Sequence, residues 1–239
     1  MNPFSTFLAA TLLLPVADGD APARKGCAAK KPFNTQIEIN LDIPETRYKF
    51  DVPGKKLTED QQELTTKWKS EHEDHVWASQ DLSVEGLARG GMGIMSSSRF
   101  VGMPYDSYGL YYCPYVKKLT INVHYNTLIF VAREHKKETC RFNAIMDHEN
   151  RHHETNVQAV KDVMVRLNKD LPEIIAYMEK HYVPRAQVEN SFSVLSDGLN
   201  DALKVYSAYM LAEMSKRNAP IDSPEEYQRV DSLCPHPRQ

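Results

Sequence analysis

Residues 148–152 read His-Glu-Asn-Arg-His, an uninterrupted H-E-x-x-H, and no other feature of the chain restricts its folding so narrowly. On an α-helix, a spacing of four puts both imidazoles on one face, one turn apart. The glutamate beside the first ring can then reach a water held between the rings and a bound metal. The motif has this meaning only on a partly buried helix, and the flanking sequence supplies one. Thr139 is placed to cap a helix beginning at Cys140, and Phe142, Ala144, Ile145 and Met146 lead into the motif. Val157, Val160, Val163, Met164 and Leu167 continue the helical apolar pattern to about Asn168. A polar helix face with two solvated histidines is the competing reading, and the apolar flanks favour the metal.

The setting follows from length and ends. With 239 residues, 41% of them hydrophobic, the chain can build one substantial domain or a main domain with an elaborated amino-terminal part. A formal charge of -3 gives no basic excess of the kind that points to nucleic acid. Phe4 to Val16 is an apolar run followed by Ala17, Ala21 and Ala23, the pattern of a secretory signal over residues 1–23, although no lysine or arginine precedes its core. The run is too short to span a bilayer, so a protein exported to the periplasm or secreted, with no stable membrane insertion after signal removal, is expected.

Cys27, Cys113, Cys140 and Cys234 are too dispersed for a structural zinc module, and they suit an oxidising compartment. Three full pairings are possible. Cys113 with Cys140 and Cys27 with Cys234 is the expected pair set, because it would tie a hairpin to the motif helix and join the two mature ends. Four reduced, buried cysteines are the alternative.

The alternation from Thr35 to Leu41 and the spacing of Tyr48, Phe50 and Val52 predict two short strands. Thr58 with Gln61 resembles a capping box opening a charged helix to about Ser70. Gly86 to Gly109, rich in Gly, Ser, Met and Tyr, reads as a long loop or cleft-lining insert. Leu119 to His124 and Thr127 to Arg133 read as a strand pair turning at Tyr125 and Asn126. An edge strand beside a metal site could hold an extended peptide through backbone hydrogen bonds. Beyond the motif, Leu171 to Tyr182 reads as a short helix and about Ala186 to Lys216 as a long one, with Phe192, Leu195, Leu199, Leu203, Tyr206 and Met210 on one face.

On His148, Glu149 and His152, placed on a helix after a sheet, the chain resembles the zincin metallopeptidases. The resemblance covers about 30 residues. It implies an α+β fold, with a small, mainly antiparallel sheet packed on the motif helix and carboxyl-terminal helices. It places residues 24–110 in an amino-terminal part and 111–239 in the catalytic core. It also implies Zn²⁺ held by His148 and His152, with Glu149 as general base and proton shuttle acting on a peptide or protein substrate. Thr155 and Gln158 stand where an extended pattern of one branch has glycine and histidine.

A third protein ligand is needed. Glu213 is the first choice, because it follows Met210 by three residues and Tyr206 by seven on the apolar stripe of the long helix. A salt bridge to Lys216 or Arg217 is its competing role. Asp197, Asp201, Glu173, His181 and Glu189 are weaker candidates. His153, one residue beyond His152, is turned about 100° from it and is a poor co-ligand. His72, His75, His124, His135, His181 and His236 read as solvated or hydrogen-bonded. Tyr206, Tyr209, Tyr182, His153 and Arg151 are candidates for stabilising an oxyanion. Three functions are thus open: an exported zinc endopeptidase, an amidase acting on cell-wall peptides, and a noncatalytic zinc-binding interaction domain.

Overall fold

The computed structural model of the protein describes residues 26–71 and 84–234. The amino-terminal apolar run, His72, His75 and His236 lie outside the described residues. In chain order come β1 (Gln36–Asp42), β2 (Arg47–Lys49), α1 (Gly54–Glu71), β3 (Gly86–Pro104) and β4 (Tyr111–Val131). They are followed by α2 (Cys140–Met178), β5 (Val183–Pro184), α3 (Val188–Asn218) and α4 (Pro224–Ser232). The fold is α+β, with one five-stranded sheet.

The sheet is organised around β4. β3 pairs antiparallel with it from Gly86↔Val131 to Pro104↔Tyr112, filling one edge. β1 and β2, both parallel, and the two-residue β5 therefore lie end to end along the other edge. Seven alternate side chains of β4, Leu119, Ile121, Val123, Tyr125, Thr127, Ile129 and Val131, are each buried. Alternation puts them on one face, and that face packs on the helices. This phase overturns the expected turn at Tyr125 and Asn126: a turn would break the period, whereas Tyr125 and Thr127 keep it. Gly86–Gly109 is likewise not a long loop. Met92, Ile94 and Phe100 pack against the core while Gly91, Gly93 and Met95 face outward, an alternation that glycine and serine hide in the sequence. The actual turn lies between Pro104 and Tyr111, where Gly109 adopts φ 66°.

α2 begins at Cys140, and Thr139 Oγ1 accepts from the Phe142 amide at 3.3 Å. The helix does not stop near Asn168 but runs to Met178, through Pro172. A mid-helix proline costs about 3 kcal/mol. Leu171 and Ile175, buried in phase with Val160, Met164 and Leu167, offset that cost. α3 returns antiparallel to α2: Tyr206 Oη donates to Asp170 Oδ2 at 2.6 Å, and Arg217 Nη1 to Asp162 Oδ2 at 2.7 Å. The two helices and the buried β4 face share one core. α1 packs on the opposite sheet face, where Leu57 meets Phe130, Ala132 and Leu87. It starts at Gly54, so Thr58 is not its cap. Thr58 Oγ1 donates to Gly54 O at 3.0 Å and accepts from Val84 N at 2.8 Å.

The disulfides are Cys27–Cys113 and Cys140–Cys234, replacing the expected Cys113–Cys140 and Cys27–Cys234. The antiparallel return of α3 and α4 carries Cys234 to the start of α2. Cys27 docks instead at the far end of β4, where Tyr115 Oη donates to its carbonyl at 2.7 Å. No helix among the described residues is long and apolar enough to cross a membrane.

Because Leu171 fills the shared core whereas Val165 on the same helix is 73% exposed, Leu171→Ala is expected to cost about 2–5 kcal/mol. Val165→Ala is expected to change stability by no more than about 0.5 kcal/mol. Urea unfolding followed by circular dichroism measures both.

Candidate metal centre

His148 and His152 project from the first half of α2, with Nε2 atoms 3.2 Å apart. A third donor arrives from the turn between α3 and α4. Asp222 Oδ1 stands 3.1 Å from His152 Nε2 and 4.0 Å from His148 Nε2. These three residues offer ligand atoms all within 4.8 Å of one another. A tetrahedral ion with bonds of about 2.0–2.1 Å requires ligand separations of about 3.3–3.4 Å, which the three distances bracket.

Supporting contacts aim the donors. Asn218 Nδ2 donates to Asn156 Oδ1 at 2.6 Å, turning its oxygen toward His152 Nδ1 at 2.8 Å. That nitrogen therefore donates, and Nε2 carries the lone pair of the neutral ring. Burial and the neighbouring His152 hold the His148 pKa down at about 4, so this ring is neutral and ready to ligate. Burial alone would lower His152 too, but its hydrogen bond to Asp222 and the charge of that carboxylate outweigh burial and raise its pKa. The surroundings that favour an imidazolium there also favour a metal cation in its place.

Glu149 is 6% exposed and stands apart from the three-donor group. Burial raises its pKa to about 7, against the opposing pull of His152. Its carboxylate accepts from the Ala88 amide. β3 approaches so closely that a Cβ on Gly86 would lie 2.5 Å from Ile145 Cγ2 and 2.6 Å from Glu149 Oε1. Glycine is required at this contact between strand and helix.

Glu213 does not join the group. It ion-pairs with Arg217 at 3.4 Å, the competing role foreseen for it. The α3 residue that reaches His152 is Asn218, five positions on, and five residues turn a helix by about 140° beyond one revolution. The apolar stripe was legible, but the residue on that helix that reaches the motif lies more than a turn beyond the expected one. Asp201 pairs with Lys204, and Asp197, Glu173, His181 and Glu189 are also outside the group. Asp222 was missed because it sits in a turn rather than on an apolar stripe. One signal marked that turn: Ser223-Pro224-Glu225-Glu226 is a helix start, with Ser223 Oγ accepting from Glu226 N at 3.2 Å.

The other residues singled out have different employment. His153 bridges Thr46 Oγ1 at 3.1 Å and Thr127 Oγ1 at 2.9 Å, tying β4 to the β1–β2 connection. Arg151 pairs with Glu226, Tyr182 stacks on Tyr105, and Arg166 lies over the Tyr209 ring. Tyr227 of α4 is the aromatic at the site. Its ring lies 5.4 Å from that of His148, and its hydroxyl donates to Asp222 Oδ1 at 3.2 Å. Burial, then the Asp222 carboxylate, raises its pKa and keeps the hydroxyl protonated.

Comparison with protein-family models, curated proteins and solved structures finds no significant match.

Asp222→Ala is expected to weaken divalent-metal binding by about tenfold or more, as loss of one of three ligands should, while Glu213→Ala leaves it within about twofold. Competitive chelator titration of folded protein checks both. Metal binding is also expected to weaken as pH falls through the raised His152 pKa, because the ion must displace that proton. His148 adds to the loss only near pH 4.

Proposed function

We propose that the protein is a zinc-dependent metallopeptidase of zincin-like design, exported and acting on extended peptide segments. The observation that carries this reading is the convergence of His148, His152 and Asp222, with the Glu149 carboxylate buried beside them but outside the donor set. Two neutral imidazoles and a carboxylate suit Zn²⁺, and three protein ligands leave a tetrahedral ion one open position. When bound, the ion would supply Lewis acidity toward a scissile carbonyl and toward water.

The remaining chemistry belongs to the chain. Glu149 accepts a proton from the attacking water and returns it to the leaving amine, a task suited to a carboxyl whose pKa is raised to about 7. We assign the oxyanion donor to Tyr227, which is 41% exposed and protonated and would have to turn its hydroxyl from Asp222 to take that role. This role replaces the five candidates named from sequence.

The peptide is aligned by β3 rather than by the strand that precedes the motif helix, because β4 is central and paired on both edges. No strand among the described residues pairs with the other edge of β3. The Ala88 amide points outward along that edge, to Glu149. The pleat then directs the amides of Gly90, Met92 and Ile94 the same way, away from β4. An extended chain added there would lead its carbonyls past Glu149. The two disulfides fit the exported setting.

Purified protein is to be assayed against a mixed peptide library and wall-derived peptides, with and without chelator. Chelator-sensitive cleavage of the library is expected. Cleavage of wall peptides alone would favour an amidase, and metal retention without cleavage would favour a noncatalytic domain. Glu149→Gln is expected to keep near-stoichiometric zinc and to lose about 10²–10⁴ in turnover. Tyr227→Phe is expected to lower kcat by about 10²-fold with little change in KM.

A further inference from the structure

The third donor of the metal group belongs to a part of the chain that is weakly embedded. Asp222 precedes α4, a nine-residue helix whose single buried residue is Val230. The clustered apolar contacts that hold α2 and α3 together are absent here. α4 is fastened instead by polar ties to α2: Arg151 with Glu226, and Arg141 Nη1 with Asp231 Oδ1 at 2.6 Å. The one covalent tie is Cys140–Cys234, joining the first residue of α2 to the end of the α4 segment. Between these fastenings lie the Tyr227–His148 ring contact and the Tyr227–Asp222 hydrogen bond.

The two disulfides differ in surroundings. Cys27 and Cys113 are 0% and 1% exposed and pack with Tyr115 at the far end of β4. Cys140 is exposed and Cys234 half-buried, so a reductant can reach that bond in the folded protein. The Arg141–Asp231 pair is exposed and contributes little, which leaves the part-buried Arg151–Glu226 pair as the main polar fastening. Without the covalent tie, α4 and the turn before it would gain freedom that a bound metal must remove.

We propose that the Cys140–Cys234 disulfide is a positioning element of the metal centre, holding Asp222 on His148 and His152, so that metal binding and reduction of this bond oppose one another. The inference rests on the metal-site reading given above. In the reduction, a dithiol passes two electrons and two protons to the Cys140–Cys234 bond, leaving two thiols on the protein and one disulfide on the reductant. Linkage makes the coupling reciprocal: whatever factor reduction removes from metal affinity, bound metal adds to resistance against reduction. Loss of reducing conditions on export would then both close the clamp and complete the site.

Zinc affinity of the full mature chain is measured by chelator competition for wild type, C140S/C234S and C27S/C113S, with circular dichroism as the folding control. Serine removes the thiolates that could themselves take zinc. C140S/C234S is expected to bind about tenfold more weakly or worse, and C27S/C113S within about threefold of wild type. Independently, wild type is equilibrated in glutathione redox buffers at fixed free zinc, and thiols are trapped by alkylation and located by mass. Zinc is expected to shift the thiol–disulfide equilibrium of Cys140 and Cys234 by about tenfold toward the disulfide and to leave that of Cys27 and Cys113 unchanged. The redox-buffer arm decides the matter if either variant does not fold. Equal zinc affinity in folded C140S/C234S, or equal reduction with and without zinc, overturns the coupling while leaving the metal site standing. A disulfide-intact wild type that binds no zinc overturns the metal-site reading itself.

Discussion

The buried face of β4 against α2 and α3 is the interaction on which the rest of the molecule depends. Leu119, Ile121, Val123 and Tyr125 share one core with Val160, Met164, Leu167, Leu171, Leu199, Leu203 and Met210. Burial of each large apolar side chain contributes roughly 1.5–3 kcal/mol, so this layer outweighs any single polar contact in the molecule. It sets the rotation of α2 about its own axis. With Val160 and Val163 turned to the sheet, His148 and Glu149 earlier on the helix are buried as well. The same layer sets the antiparallel course of α3, whose carboxyl-terminal end then reaches His152.

Several buried polar groups at that end have partners, whereas His148 Nδ1 is buried without one. Glu149 meets a backbone amide of the sheet, and Asn218 orients His152. Asp222 brings a carboxylate to the two imidazoles, completing a group that could hold a metal ion. The strand contributes by absence, since only a residue without Cβ at Gly86 lets β3 come this close to Glu149. Sheet, motif helix and carboxyl-terminal turn thus meet at one point, and each would be ordinary without the others. At the opposite end, buried Glu179 accepts from Lys31 Nζ at 2.8 Å and from the Val116 amide at 2.7 Å. There it anchors the amino-terminal segment, well removed along α2 from the motif.

Legibility in the sequence followed the range of the interaction. The α2 start, the Thr139 cap, the apolar phase of both long helices and the placement of His148, Glu149 and His152 on a common helix depend on residues a turn or two apart. These were readable. The strand character of Gly86–Pro104 was concealed, because glycine and serine carry little propensity and the segment is stabilised by pairing with β4, which lies later in the chain. The continuity of β4 through Tyr125 and Asn126 was present as unbroken alternation, but it was masked by residues that also favour turns.

The sequence alone determined that two imidazoles share one helix face with a carboxylate beside the first, because i, i+4 geometry is a property of the backbone and needs no partner. It also determined that a long helix after the motif carries an apolar stripe that has to be buried, though not that the stripe would meet the sheet as well as the motif helix. Only the tertiary structure decided that Asp222 rather than Glu213 completes the donor group, that Tyr227 lies against His148, and that the cysteines pair Cys27 with Cys113 and Cys140 with Cys234. Those outcomes depend on where α3 ends and how α4 folds back. Donors separated by 70 residues meet only after the hydrophobic core has fixed the rotation and length of the elements carrying them, and local sequence carries no record of that rotation.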